Sequence, residues 1–160
     1  MGNVNYHYYI VFPTKFIEEH QEWWERRAQG KQLSLQWTYL LAMVCACAIQ
    51  HLEIDMKPAL EAELGNTTEE LTVQYHDAGQ EVGKAIPVRA CHLLSIQAML
   101  HNIYWYKAEA KFVEAWHLIG AAVRDSQELG LHKKSELQGL PEFEREMRRR
   151  VWCILATWDW

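Results

Sequence analysis

The sequence lacks the short patterns that identify many enzymes and metal proteins. Its four cysteines are never spaced as Cys-x-x-Cys, so neither a zinc site nor a redox motif is encoded. No Gly-x-Ser-x-Gly elbow and no glycine-rich phosphate loop occur. Glu114 and His117 have the spacing of a di-iron ligand pair, but no second such pair accompanies them. We therefore expect no enzyme activity, no metal and no cofactor in this chain.

Long apolar stretches are also missing. The longest, residues 40–49, is half of the roughly 20 residues that cross a bilayer. Residues 1–9 have neither the basic segment nor the apolar core of a secretory signal. The sequence therefore predicts an intracellular protein without a membrane segment. In such a reducing compartment, Cys45, Cys47, Cys91 and Cys153 are expected to be small buried apolar side chains.

Positive charge is scarce as well. The net charge is −5, with 5 basic and 11 acidic residues in 1–80, and 11 basic and 10 acidic residues in 81–160. A protein that binds duplex DNA by itself usually carries a basic face that neutralises several phosphates. The one basic cluster, Arg148, Arg149 and Arg150, spreads over about 200° of a helix and follows Glu144 and Glu146 at helical spacing. We expect a solvated, self-paired face there, with a partner or inter-helix contact as the alternative, and no direct binding of nucleic acid.

What the chain does have is material for one well-packed domain. Hydrophobic residues make up 49% of its 160 residues, charged residues make up 23%, and there are eight tryptophans. This balance is typical of a globular protein, and the length fits one domain rather than two. Aromatic side chains bury large areas, so a sizeable core is expected.

Signals for helix starts and ends recur along the chain, and strand signals are nearly absent. Candidate starts are Thr14, Ser34, Pro58, the Thr67-x-x-Glu70 capping box, Pro87 and Pro141, and candidate ends are Gly30, Gly65 and Gly130. Apolar periodicity places Leu71 and Tyr75 on one inner stripe and Phe112, Trp116 and Ile119 on another. The prediction is an all-α fold of about six helices packed as antiparallel pairs, without a sheet. The last helix should span at least residues 142–155.

Two blocks near the C-terminal end form the most specific pattern in the sequence. The first runs from Ala115-Trp116 through Gly120-x-Ala122-x-Arg124 to Leu129-Gly130-Leu131-His132, and the second is Glu144-x-Glu146-x-Arg148-Arg149-Arg150-x-Trp152. Their order and separation resemble the signature of the regulatory domain, or middle homology region, of fungal zinc binuclear cluster transcription factors. Weaker likeness lies upstream, at residues 12–16 and 40–50.

The resemblance implies an all-helical regulatory domain. In the family it lies between an N-terminal zinc cluster that binds DNA and a C-terminal activation segment, and it restrains or tunes the activator. The six-cysteine cluster is absent from this sequence, so zinc is expected only in that missing module and DNA binding only by kinship. We expect residues 1–160 to form a single helical regulatory domain, a C-terminally truncated version of a larger one. The implied location is the nucleus, and the implied partners are proteins or other parts of the same protein.

Two alternatives to the regulatory interpretation remain. Some family members bind small effectors, so the chain is alternatively a sensing module for a small apolar molecule, with Tyr104, Trp105 and Tyr106 as candidate pocket residues. It is otherwise a degenerate fragment with no independent activity.

Two further predictions concern single side chains of the signature. Arg124 shares a helix with apolar residues and cannot lose its charge, which predicts an ion pair with Glu144 or Glu146. His132 follows Gly130 closely, and a contact at the turn is expected for it.

Overall fold

The computed structural model describes residues 9–87 and 90–158, and Trp160, one of the tryptophans predicted to pack, lies outside this range. Within the described residues there are seven α-helices and one short 3-10 helix, and no strand. The all-α prediction is confirmed, with one helix more than the approximate six. The helices are α1 Pro13–Ala28, α2 Leu35–Gln50, α3 Lys57–Leu64, α4 Thr68–Ala85, α5 Leu93–Ala108, α6 Phe112–Glu128, the 3-10 helix Lys134–Leu137 and α7 Glu142–Trp158.

Most helix ends lie where the local sequence predicts them. The Ser34 side chain accepts a hydrogen bond from the Trp37 amide at the start of α2. Thr67 and Glu70 form a complete capping box at α4, in which each side chain accepts from the backbone of the other. Gly65 closes α3 in the left-handed conformation, at φ 76°, where a side chain would be strained. These predictions are confirmed.

Two helix starts differ from the prediction. Thr14 does not cap α1, because the helix already begins at Pro13, whose fixed φ suits a first turn and which needs no amide partner there. Pro87 does not open α5. The helix begins at Leu93, where the His92 side chain accepts the Leu94 amide at 3.1 Å. A histidine is a less usual cap than Ser, Thr, Asp or Asn, so the sequence signal was weak.

The centre of the fold is α2, which packs against α4 and α5. α4 runs antiparallel to α2: the Thr72 hydroxyl donates to the Ala46 carbonyl near one end, and Gly83 lies against Tyr39 near the other. α2 is apolar all round because it has partners on more than one side. Its largest fully buried side chains are Leu40 and Met43.

α5 runs antiparallel to α4 and parallel to α2. The Cys47 thiol contacts the His101 carbonyl at 3.2 Å, and Gln50 donates to Glu109, just after α5, at 2.6 Å. Later residues of α2 therefore meet later residues of α5, as in two parallel helices. α6 then returns along α5, with the Cys91 thiol just before α5 contacting the Asp125 carbonyl near the end of α6, and α7 contacts both α5 and α6. Val151 and Leu155 of α7 are fully buried, and the helix covers the predicted residues 142–155.

α1 is attached to the bundle chiefly by aromatic side chains. Trp37 of α2 stacks on Phe16 at 5.6 Å and lies within 6.3 Å of the ring centres of Trp23 and His20. Its indole Nε1 donates to Glu19 at 2.7 Å. The connection depends on one tryptophan and its neighbours.

Two predicted inner stripes are wrong in part. Phe112 and Trp116 are 65% and 69% exposed, because α6 faces α5 with the small or branched side chains of Ala115, Ile119 and Ala122. A residue one position after Ala115 lies about 100° around the helix, which turns Trp116 outward. Likewise, the buried face of α4 contains Leu71, Thr72, His76 and Gly79, whereas Tyr75 is 37% exposed.

The cysteines also divide differently from the expectation. Cys47 is buried, and burial raises the pKa of its thiol to about 12. Cys45 and Cys91 are half-buried, and Cys153 is exposed on the outer side of α7. The expectation of a buried Cys153 is therefore wrong, because the inner stripe of α7 passes through Val151 and Leu155 instead.

Candidate functional site

The two signature blocks lie at the junction of α6 and α7. Gly130 ends α6 with φ 69°, and a side chain there would press against Glu136 of the 3-10 helix, at 2.8 Å from an added Cβ. The next residue, Leu131, is buried in the core. The His132 ring then packs 5.7 Å from the Trp152 ring, which links the first block to the second. The signature residues around this turn therefore connect the two helices.

The charged residues of the second block pair with one another on α7. Glu144 accepts from Nε and Nη2 of Arg148 at 3.1 and 2.9 Å, and Glu146 pairs with Arg149 at 2.9 Å and with Arg150 at 2.7 Å. The prediction of a self-paired arginine face is confirmed. This pairing leaves no cluster of unmatched positive charge along α7.

The predicted link from Arg124 to Glu144 or Glu146 is wrong. Both carboxylates are taken by arginines of their own helix, one turn away. Arg124 lies exposed on α6, with its Nη1 near Gly120, and solvent satisfies a charge in that position. Of the other residues in the first block, Ala122 is fully buried where α6 meets the core.

The aromatic run Tyr104, Trp105 and Tyr106 is mainly part of the core and its edge. Trp105 is 1% exposed and stacks on His76, with ring centres 3.7 Å apart. Tyr104 and Tyr106 are half-buried, and the Tyr104 ring lies 5.3 Å from His51. Their role in a ligand pocket stays a prediction, and the cavity described below is lined by other residues.

A buried polar network that the sequence did not reveal joins α2, α4 and α5. His76 contacts Asn102 at 3.1 Å, and Asn102 in turn donates to the Tyr39 hydroxyl at 3.5 Å. The Trp105 indole donates to Thr72 at 2.9 Å. Burial raises the pKa of Tyr39 to about 12, so its hydroxyl stays protonated. The network satisfies polar groups inside the core and holds the three helices in register.

A cavity of about 310 Å³ lies where α1, α5 and α7 begin. Its apolar wall comes from all three helices and from α2. Its apolar side chains include Phe12, Phe16, Leu40, Leu94, Phe143 and Met147. Phe12 and Phe143 meet edge to face at 5.4 Å and are about half exposed, so they form the rim. Small-molecule sites are typically mostly apolar and occupy roughly 300–1,000 Å³.

Four ionisable side chains stand around this cavity together with His92. Lys15 and Glu19 come from α1, and Glu144 and Arg148 from α7. The pKa of His92 is lowered, first by partial loss of solvent and then by the nearby Arg148 charge, so the ring is neutral at neutral pH. Sequence reasoning missed this site because its residues come from separate stretches of the chain, residues 11–19, 40, 92–97 and 143–148.

The described residues contain no group of three or more His, Cys, Asp or Glu side chains suited to a metal ion. The predictions of no metal and no cofactor are untested by this and stay predictions. In the same part of the chain, no helix is long and apolar enough to cross a membrane.

The arrangement defines an all-helical domain in which a signature turn links two helices beside a small apolar cavity. Comparison with known proteins identifies it further. The family model described as "Fungal specific transcription factor domain" matches residues 87–159. This part of the chain matches that family's model, and the resemblance found in the two blocks is confirmed.

Curated relatives extend the likeness beyond the matched region. "Probable transcription factor sol4" of Alternaria solani is 26% identical over 159 residues, 96% of this chain and 28% of the relative. "Zn(2)-C6 fungal-type transcription factor pigI" of Monascus ruber is 28% identical over 153 residues, 94% of this chain and 18% of the relative. "Aurofusarin cluster transcription factor aurR2" of Gibberella zeae is 34% identical over 99 residues, 61% of this chain and 15% of the relative. The chain spans less than a third of the length of these relatives, and no solved structure matches it.

Proposed function

We propose that this chain is the helical regulatory part of a fungal transcription factor and acts in the regulation of transcription. The observation that carries the proposal is the match of residues 87–159, reinforced by relatives that are named as transcription factors along nearly the whole chain. Its place of action would be the nucleus, and its partners would be proteins or other segments of its own protein. We expect it to have no catalytic activity.

The surface of the chain suits contacts with proteins better than contacts with DNA. The arginines of α7 pair with glutamates of the same helix, which leaves little free positive charge for phosphates. The outer face of α6, with Phe112, Val113 and Trp116, exposes apolar side chains instead. Such surfaces are more typical of protein contacts than of nucleic-acid contacts.

A reporter assay tests the proposal. The chain would be placed between a heterologous DNA-binding domain and a constitutive activation domain, and transcription of a reporter would be measured. We expect the chain to lower the output by about fivefold or more, which corresponds to the lower end of the coupling typical between two sites in one protein.

Two variants provide the controls for this assay. Leu155→Asp places a charge at a fully buried position of α7, so it should abolish the fold and the effect on the reporter. Thr157→Ala changes an exposed residue of the same helix and should leave the effect unchanged. Equal output from the wild type and Leu155→Asp would contradict the proposal and favour a degenerate fragment without independent activity.

A second candidate function is the sensing of a small molecule. The cavity of about 310 Å³ at the start of α1, α5 and α7 favours it, because the cavity is apolar in most of its wall and has a few polar groups at its edge. Sensing and regulation are compatible, since a ligand in this cavity would change how α1 is attached to the bundle.

A further inference from the structure

The cavity at the start of α1, α5 and α7 has one wall that is attached more weakly than the others. α5 and α7 are fixed by core residues such as Ile96 and Val151, both fully buried. Phe16 is the one buried side chain of α1, and the helix is otherwise held by the contacts of Trp37 with its aromatic side chains and Glu19 and by the hydrogen bond from Trp23 to Thr38 of α2. A molecule in the cavity would touch α1, α5 and α7 together and would add apolar contacts where α1 has few.

The polar groups at the cavity differ in how much hydrogen-bonding capacity they have left. Each lining carboxylate already has a protein donor: Glu144 accepts twice from Arg148, and Glu19 accepts from the Trp37 indole. A guanidinium has five N–H donors, and Arg148 uses two of them on Glu144. Its side chain is 20% exposed, so the remaining donors are partly shielded from water.

Two more donors belong to the same cavity. The Nδ1 atom of His92 accepts the Leu94 amide, which leaves the hydrogen of the neutral ring on Nε2. Lys15 carries an ammonium group whose ion pair with Glu18, at 3.5 Å, is solvent-exposed on both sides. Most of the unused hydrogen-bonding capacity at the cavity therefore belongs to donor groups. Two of these groups, Arg148 and Lys15, are positively charged. The N-terminal turns of α1, α5 and α7 add partial positive charge in the same place.

We propose that this cavity binds an apolar carboxylic acid, with its hydrocarbon part between Phe16, Leu40 and Met147 and its carboxylate at Arg148 and His92. The inference rests on the sensing function proposed above and specifies the chemical class that the sensor recognises. A carboxylate accepts several hydrogen bonds and carries the charge that complements Arg148 and Lys15. A cationic ligand would meet Arg148 and Lys15 as like charges, and the two carboxylates at the cavity, Glu19 and Glu144, already accept from protein donors.

Methionine methyl NMR provides a direct test, because one of the five methionines lines the cavity. The full chain, labelled with [¹³C-methyl]methionine, would be titrated with 2-naphthoate, with neutral 2-naphthamide and with the cation 2-naphthylmethylammonium. We expect 2-naphthoate to shift the Met147 signal in a saturable way and to leave the signal of exposed Met56 unchanged. The ammonium compound should bind at least about tenfold more weakly, the difference expected for one charge-assisted hydrogen bond.

Two matched variants test the assignment of Arg148. Arg148→Gln removes the guanidinium charge at the cavity. It should weaken the binding of 2-naphthoate by about tenfold and change the affinity for 2-naphthamide less. Arg145→Gln makes the same chemical change on the same helix, at an exposed position outside this cavity, and should leave both affinities unchanged. Circular dichroism would confirm that each variant remains helical.

The outcomes separate the ligand class from the sensing function. If none of the three probes shifts Met147, the cavity is not a ligand site and the sensing function fails with it. If the ammonium compound binds as tightly as 2-naphthoate, the cavity is a ligand site, but the proposed carboxylate class is wrong. Equal effects of Arg148→Gln and Arg145→Gln would overturn the role of Arg148.

Discussion

Two glycines in helix interiors show how differently one residue type can function. Gly79 of α4 faces α2, and a side chain there would collide with the Met43 methyl and lie 3.2 Å from the Ala42 Cβ. Gly120 of α6, a signature residue, has only the Arg124 guanidinium nearby, at 3.5 Å. Gly79 permits the close packing of α4 against α2, whereas no comparable contact requires a glycine at position 120.

Alanine substitutions at these glycines should therefore have opposite effects. Gly79→Ala should lower the free energy of unfolding by about 1–3 kcal/mol, because Met43 is fully buried and has little room to move. Gly120→Ala should raise it by about 0.5–1 kcal/mol through higher helix propensity. Urea unfolding of both variants measures these changes. A stabilised Gly79→Ala variant would mean that α2 and α4 do not approach as closely as the structure shows.

His101 should make the stability of the protein depend on pH. It is buried in α5, its Nδ1 lies 2.8 Å from the Gln97 carbonyl, and burial lowers its pKa to about 4. The unfolded chain binds this proton near pH 6.5, so the contribution to stability is complete above that pH and is lost as pH falls toward 4. Between these two pKa values, the free energy of unfolding should fall by up to about 1.4 kcal/mol for each pH unit of acidification.

The measurement for His101 is urea unfolding at pH 7, 6 and 5. The His101→Gln variant should lose less stability between pH 7 and 5 than the wild type, since it lacks this imidazole, which the unfolded chain protonates in this window and the folded chain does not. His117→Gln, at an exposed position, is the control and should follow the wild type. Parallel pH profiles for all three proteins would refute a buried neutral His101.

At the scale of helices, much of the fold follows from local sequence. The caps at Ser34 and Thr67 and the stop at Gly65 are correct because the interactions involve neighbouring residues. The exposure of Trp116 could not be predicted in this way. Its position is decided by the approach of α6 to α5, which favours Ala115 and Ala122 at the contact. Hydrophobicity alone would place the larger side chain inside.

The candidate site was less predictable than the helices. The signature residues were visible because they are close together in sequence, whereas the cavity combines side chains from four separate segments. His92 contributes both a cap and a cavity wall, and its sequence neighbourhood gives no sign of either. The pairing of Glu144 with Arg148 was predictable because the two are one helical turn apart, whereas a link to Arg124 required a contact between two helices.

The attachment of α1 should depend strongly on Trp37. Trp37→Leu removes the stacking with Phe16 and the hydrogen bond to Glu19. We expect faster amide hydrogen exchange throughout residues 13–28, while exchange in α4 and α5 stays close to that of the wild type. Trp24→Leu is the matched control, since Trp24 is 48% exposed on the outer side of α1. Unchanged exchange in α1 of the Trp37 variant would show that other contacts hold the helix.

For the whole molecule, the charge distribution predicts weak binding to DNA. The net charge is −5, and the arginines of α7 are paired with Glu144 and Glu146. Fluorescence anisotropy with labelled duplexes should show only weak, salt-sensitive binding that is similar for unrelated sequences. Tight binding of one duplex over another at physiological salt would contradict this prediction and would assign the chain a direct role in DNA recognition.

The central position of α2 has a consequence for synthesis on the ribosome. Its 16 residues include no charged side chain, and its main partners α4 and α5 end at residues 85 and 108. At about 5–20 residues per second, the nascent helix waits several seconds before both partners have been made. During that interval α2 is the most apolar of the described helices that have already been made. It is therefore the segment that we expect chaperones to bind first.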